Sequence, residues 1–493
     1  MKPDAPAQPP PCSPAARAGR SPWLLFAVVL IGSFLGPLSG SIINVALPSI
    51  AADYVIDVQT VKWVVLIYLL GSAALLPIVG KFGRWLGEAR QFTAGLMIFT
   101  LAAAGCALAP HGSIAWLVVG RGVQAAGAAL MFGMGPALVT RFIPTERRSL
   151  AFGIIGSVVA VALISGPPLG VVICDLLDWR WVFWVQVLVA AAGAVAAACL
   201  LPVDERDGAP VIPVASIAGW FALMLGLVMI SEAFSKGLWI EYLPLTGALT
   251  AAGIALFAFA ETRRHRLFDY ALFRYPAFWR GVIGSILLYL AIAVLILFMP
   301  FYLEDYLRLS TGMRGLLFSL SPLATVFAGP AAGHLADRIG FRVPVISGLV
   351  VALCGLTLMA WATTVDLLWA FGLGSAVMGA GTGLFSGPNF SAMMGSVSTA
   401  QRSIASGMST LTRNIGFLVG TSVGALGFGL MLAAYGGREL MLAARTQQLA
   451  EAVPYDAFIY AFSRALGISA VLIVIALIVS LGFPNRVRTP AAD

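Results

Sequence analysis

Apolar runs long enough to cross a membrane recur along the chain, separated by short segments that hold most of its charge. The first six lie at roughly 23–46, 60–79, 91–109, 113–139, 150–173 and 181–201. A polar segment follows, Pro202 to Pro213, with Asp204, Glu205, Arg206 and Asp207. Two further runs, roughly 214–233 and 243–261, precede the basic stretch ETRRHRLFDYALFRYPAFWR. Six more lie at roughly 280–302, 315–333, 343–363, 367–390, 404–434 and 463–483. A helix needs about 20 apolar residues to cross about 30 Å of hydrocarbon, so each run predicts one membrane helix, fourteen in all. The expected class is an all-α membrane protein. Its predicted parts are a disordered proline- and alanine-rich tail at 1–22, a six-helix bundle at 23–201, and a linker with two accessory spans at 202–279. A second six-helix bundle follows at 280–483, and a short tail at 484–493 ends the chain.

Two polar segments share a pattern. GKFGRWLGEAR, from Gly80 to Arg90, and GHLADRIGFR, from Gly333 to Arg342, each open on a glycine and carry a second glycine seven residues later among basic side chains. Each reads as a tight turn between two membrane helices, and their repetition about half a chain apart suggests internal duplication. Glycine lets the chain reverse and lets helix ends approach closely, while the cations suit helix C-termini and acids.

Composition narrows the class. Hydrophobic residues make up 60% of the chain and charged residues 11%, with a mean hydropathy of +0.93, which excludes an ordinary soluble domain. The five cysteines are scattered, so neither a disulfide framework nor a metal site is implied. The net charge of +8 sits in the loops and is read as topology, not as nucleic-acid binding. Most loop Lys and Arg residues fall on the side of the N-terminus, and the positive-inside rule then puts both termini and both glycine-rich turns in the cytoplasm. With only His111, His265 and His334, no HExxH and no acid pair at mid-membrane, an intramembrane protease has nothing to work with. No enzyme, cofactor or metal is expected.

The motifs, in this order, resemble the major facilitator superfamily. Beside the two turns stand INVALP (Ile43 to Pro48) at the end of span one, RGVQAAGAA (Arg121 to Ala129) in span four and SGPPLG (Ser165 to Gly170) in span five. DWRWVFWVQV (Asp178 to Val187) enters span six, and QRSIASGMSTLTRNIG (Gln401 to Gly416) enters span thirteen. Fourteen spans, two of them between the halves, are similar to the drug:proton antiporter branch of multidrug efflux type. The resemblance implies export of small lipophilic compounds by alternating access, one bundle rocking against the other around a midplane site, with protons as the coupling ion. It also implies a bacterial inner membrane and a monomer as the transport unit, and it is compatible with a periplasmic adaptor and an outer-membrane channel. The runner-up is an exporter of a specific metabolite or anion with altered coupling, or a relative that no longer transports.

What the resemblance assigns to residues is uneven. Gly80, Gly83, Arg84, Gly87 and Arg90, with Gly333, Asp337, Arg338 and Gly340, would latch one conformation, and Gly166, Pro167 and Gly170 would shape span five for export. Arg121 would take part in coupling, because an ionised side chain in an apolar span costs about 2.5–3.5 kcal/mol and calls for a partner or a role. Three positions depart from the pattern. Arg84 stands where an aspartate is usual, Val171 where span five usually has a glycine, and Ser39 where span one usually has an acid. No span carries Asp or Glu near its middle, so a proton carrier is sought at cavity edges, at Asp175 or Glu232. The candidate substrate cavity comprises Ser39, Asn44, Tyr68, Gln124, Met131, Met134, Gln186, Tyr289, Asn389 and Asn414, where methionine and aromatic side chains adapt to apolar ligands and amides orient them.

Overall fold

The computed structural model describes residues 21–486 except 57, 111, 203–212, 236–238, 264–265 and 447–452. The expected N-terminal tail, most of the polar segment after the sixth run and the last residues therefore lie outside the described residues, as do the side chains of Arg84 and Glu232. Every regular element among the described residues is helical. This follows from the solvent: in hydrocarbon only a helix or a closed barrel satisfies all backbone donors and acceptors.

The long helices of the first half are α1 Pro22–Tyr54, α2 Trp63–Leu86, α3 Glu88–Ala107, α4 Ala115–Phe142, α5 Arg148–Leu176 and α6 Trp181–Leu200. The inserted pair is α7 Val214–Ser235 and α8 Trp239–Glu261. The second half comprises α9 Pro276–Phe301, α10 Thr311–Ile339, α11 Arg342–Thr364, α12 Leu368–Gly395, α13 Arg402–Thr446 and α14 Tyr455–Leu481. Twelve helices among the described residues are long and apolar enough to cross a membrane. The other two are α3, which opens on Glu88, Arg90 and Gln91, and α7, whose described apolar part is Val214–Ile230. Within α13 the helical path breaks at Gly436 and Gly437, the latter at φ 79°.

The two glycine-rich segments are less turn than the sequence suggests. α2 stays helical through Leu86 and α10 through Ile339, so the reversals are compressed into Gly87 at φ 88° in the first half and Gly340 at φ 96° with Phe341 in the second. Both angles lie where a side chain would clash with its own backbone, which is why glycine is needed there. The first glycine of each pair works differently. A Cβ on Gly80 would fall 3.0 Å from the carbonyl oxygen of Ser403, and one on Gly333 would fall 2.2 Å from that of Ser149. Those two sites let helices of opposite halves touch.

One apolar cluster fills the first half and runs into the second at Phe278, Met393, Met394 and Met408, and another fills the rest of the second half. Phe92, Phe99, Met131, Met134 and Phe142 centre the first, and Leu356, Phe371, Phe385 and Phe462 the second. The inserted pair lies against α2 and α13, where the Trp220 indole donates to the carbonyl of Ala74 at 3.1 Å and packs with Phe257 and Phe268. The halves meet where α5 packs on α10 and α12, and where α2 and α4 pack on α13. The hydrogen bonds described between the halves lie toward the end that holds Gly87 and Gly340, hereafter the turn end, except the one from Ser157 Oγ to the Val326 carbonyl, which reaches the middle of α10.

Candidate transport site

The first half encloses a chain of polar side chains. Arg121 on α4 is fully buried. Its Nη1 donates to Ser39 Oγ and to Gln124 Oε1, both at 2.7 Å, and its Nε donates to the carbonyl of Val64 at 3.0 Å. The guanidinium carbon sits 4.1 Å from the centre of the Tyr68 ring, whose hydroxyl donates to the carbonyl of Gly36 at 3.0 Å. Gln124, one turn on from Arg121, passes the chain to Gln186 on α6 at 3.0 Å. Four helices are thus tied through one cation. All its partners are neutral, because Ser39 offers a hydroxyl where a carboxylate would have cancelled the charge.

The structure brings together Ser39, Tyr68, Gln124, Gln186 and Arg121, and places the other expected site residues apart. Asn44 is exposed and donates to the carbonyl of Gly40, one turn back. Met131 and Met134 pack in the core of the first half. In the second half Asn389 is buried, its amide donating to Ser285 Oγ at 2.9 Å and to the carbonyl of Gly281. The Tyr289 hydroxyl lies 3.2 Å from that of Ser386, with its ring against Phe417, and Asn414 is half-buried on α13. Asp175 is exposed in the last turn of α5 and is not among the hydrogen-bond partners of Arg121.

At the turn end the halves interlock. Asp337 Oδ1 and Oδ2 accept from the backbone nitrogens of Ser149 at 3.1 Å and Leu150 at 3.0 Å, so the carboxylate of one half sits on the helix N-terminus of the other. Such a terminus carries about half a positive charge, which favours the anion. The equivalent first-half position is Arg84, and the acid that bonds across to the other half is Glu88, just past the Gly87 reversal: its Oε1 accepts from Ser403 Oγ, at the start of α13, at 2.9 Å. The role of Glu88 is not readable from spacing, because Arg84 and Glu88 lie on different helices either side of the Gly87 reversal. Close packing completes the seam, since a Cβ on Gly153 would fall 2.2 Å from the carbonyl oxygen of Gly329. Span five uses its motif differently: Cβ atoms on Gly166 and Gly170 would meet Ser41 Oγ at 2.0 Å and the Ile42 carbonyl at 3.0 Å, so this face seats α1 on α5 within the first half. Pro167 and Pro168 are exposed.

Sequence similarity decides the family. The Major Facilitator Superfamily profile matches residues 29–421. The chain belongs to that superfamily. Among curated proteins it is 29% identical over 407 residues to riboflavin transporter RibZ of Clostridioides difficile (strain 630), covering 81% of this chain and 87% of that one. It is 28% identical over 423 residues to multidrug resistance protein Stp of Mycobacterium tuberculosis (strain CDC 1551 / Oshkosh), covering 84% and 77%. Among solved structures, the proton:xylose symporter XylE superposes with a TM-score of 0.63 at 13% identity, covering 94% of this chain and 96% of that one, which shows the shared fold. This superfamily member is a membrane transporter and not an enzyme.

Proposed function

We propose that this superfamily member exports small lipophilic compounds from a bacterial cytoplasm by alternating access, with all fourteen long helices crossing the inner membrane and both termini inside. The observation that carries the reading is the one-sided seam. The halves are joined at the turn end by Asp337 on α5, Glu88 on Ser403 and the Gly153–Gly329 contact. A transporter closed on one side by short polar contacts, backbone proximity and an apolar cluster shared between the halves opens by parting those contacts at that end. Relatives named for multidrug resistance and riboflavin transport support a small-molecule cargo.

Protons are the proposed driving ion, with Arg121 as the coupling centre and Asp175 or Glu232 as the proton carrier. The decisive test is efflux of a fluorescent lipophilic dye from cells, under an imposed pH gradient and with an uncoupler. Efflux that collapses with the gradient is expected. Efflux indifferent to it would sink proton coupling and favour the second reading, a metabolite or anion exporter with altered coupling. Ser39 is the observation that favours that alternative, because it leaves Arg121 without an acid.

A further inference from the structure

Arg413 is a second guanidinium at membrane depth. It lies about three turns into α13 from Arg402, which at 1.5 Å per residue is about 16 Å from the turn end, half of about 30 Å of hydrocarbon. The side chain is half-buried, with its guanidinium carbon 6.0 Å from the centre of the Phe132 ring on α4. That ring is wedged on α1, since a Cβ on Gly36 would fall 2.0 Å from it. One turn toward the turn end, Thr410 donates to the carbonyl of Phe132 at 3.2 Å, part of the seam between halves. One turn the other way, Phe417 packs on Tyr289 at 5.4 Å between ring centres, and Tyr289 meets Ser386. Arg413 therefore stands just beyond the seam, between helices of both halves, beside the Phe132 ring and one turn along α13 from the Phe417–Tyr289 pair.

Nothing acidic among the described residues answers it. Among the described residues no carboxylate forms a salt bridge with Arg413. The described acids lie toward the two ends, Glu88, Glu146, Glu261, Asp269 and Asp337 at one and Asp53, Asp175, Asp178, Glu304, Asp366 and Asp456 at the other. Arg121, buried in the first half with neutral partners only, adds to the positive field. Low-dielectric walls lined by one sign of charge concentrate ligands of the opposite sign. The planar fork of a guanidinium fits a carboxylate or sulfonate with two parallel hydrogen bonds.

We propose that Arg413 binds the anionic group of the cargo, with Phe132, Tyr289 and Phe417 taking its apolar body, so that this exporter selects small aromatic acids over cations. The proposal rests on the exporter reading above and names its substrate class. The purified full chain in detergent is titrated with 1-naphthoate and anthraquinone-2-sulfonate, each beside its uncharged amide. The wild type is expected to bind an acid at least about tenfold more tightly than its amide. Arg413→Gln is expected to erase that preference by weakening the acid alone, and Arg413→Lys, which keeps the charge but loses the fork, to retain only part of it. Equal binding of acid and amide, no binding of any of the four, or an acid preference that survives Arg413→Gln would overturn the proposal. Unchanged melting temperatures of both variants separate ligand loss from misfolding, and a variant that melts early is replaced in the comparison by Arg413→Met. Efflux of neutral Nile red from cells is read in parallel. Nile red export without acid preference leaves the exporter standing and removes the anion site, whereas acid binding without export of any probe does the reverse.

Discussion

Arg121 is held at membrane depth by geometry instead of by an opposite charge: two neutral side-chain acceptors and two carbonyls accept its hydrogen bonds, and the Tyr68 ring presents its π face to the guanidinium. Arg121→Ala would strand Ser39 Oγ, Gln124 Oε1 and the Val64 carbonyl, and each buried group left without a partner costs about 1–3 kcal/mol. The detergent-solubilised variant should melt well below the wild type. Ser39→Asp should do the opposite, because it restores a carboxylate 2.7 Å from a cation that lacks one. A melting temperature for Ser39→Asp no higher than wild type would show that the charge is already compensated from elsewhere. Sequence alone made Arg121 and Ser39 legible, since a lone cation in an apolar run and a missing acid both stand out. It gave Met131 and Met134 to a cavity because residue type does not say which face of a helix points inward; both are core. Arg413 escaped notice for the complementary reason. It lies inside a run whose start, Arg402, already carries a cation, and only the fold separates the seam from the space beyond it.

At the level of helices, lipid makes the sequence easy to read. About 20 apolar residues are needed per crossing whatever the fold, so the order and approximate bounds of the helices follow from hydropathy. What glycine does in them depends on distant partners and was not legible. Gly80 and Gly333 looked like turn formers, yet they lie within helices and serve contact between halves, while Gly87 and Gly340 make the turns. The same ambiguity runs along α5, where Gly153 touches Gly329 but a Cβ on Gly156 would meet nothing within 4 Å. Gly153→Ala should therefore push α10 away, and Gly156→Ala should not. Cysteines introduced at the turn end should label faster with a membrane-permeant maleimide in Gly153→Ala, about tenfold for a shift of about 1.4 kcal/mol in the balance of conformations. Equal labelling in the two variants would mean that close packing does not hold this end shut.

For the whole molecule the inserted pair adds a tie that a two-bundle transporter lacks. The segment after α8 reaches both halves, with the carbonyl of Arg266 accepting from Lys81 of the first and Asp269 accepting from Gln401 of the second at 2.9 Å. Glu261 braces its fold by accepting from the backbone nitrogens of Leu267 at 2.7 Å and Phe268 at 3.3 Å. A strap bonded to both halves beside the seam must slide or let go each time the turn end opens. Two sites then allow the cycle to be arrested in different ways. Ser149 Oγ and Ser391 Oγ lie 3.0 Å apart across the seam, close enough for a disulfide when both serines are replaced by cysteine in a background without the native ones. Oxidation should abolish dye efflux and a reductant should restore it, because alternating access requires these helices to part. Gln401→Ala removes the side-chain bonds of Asp269 and Tyr275 to the residue just before α13, while the strap still runs on into α9, and should leave efflux running, with faster maleimide labelling at the turn end. Efflux that survives complete Ser149–Ser391 cross-linking would mean that the seam does not open during transport, and the rocking of one six-helix half against the other would have to be abandoned.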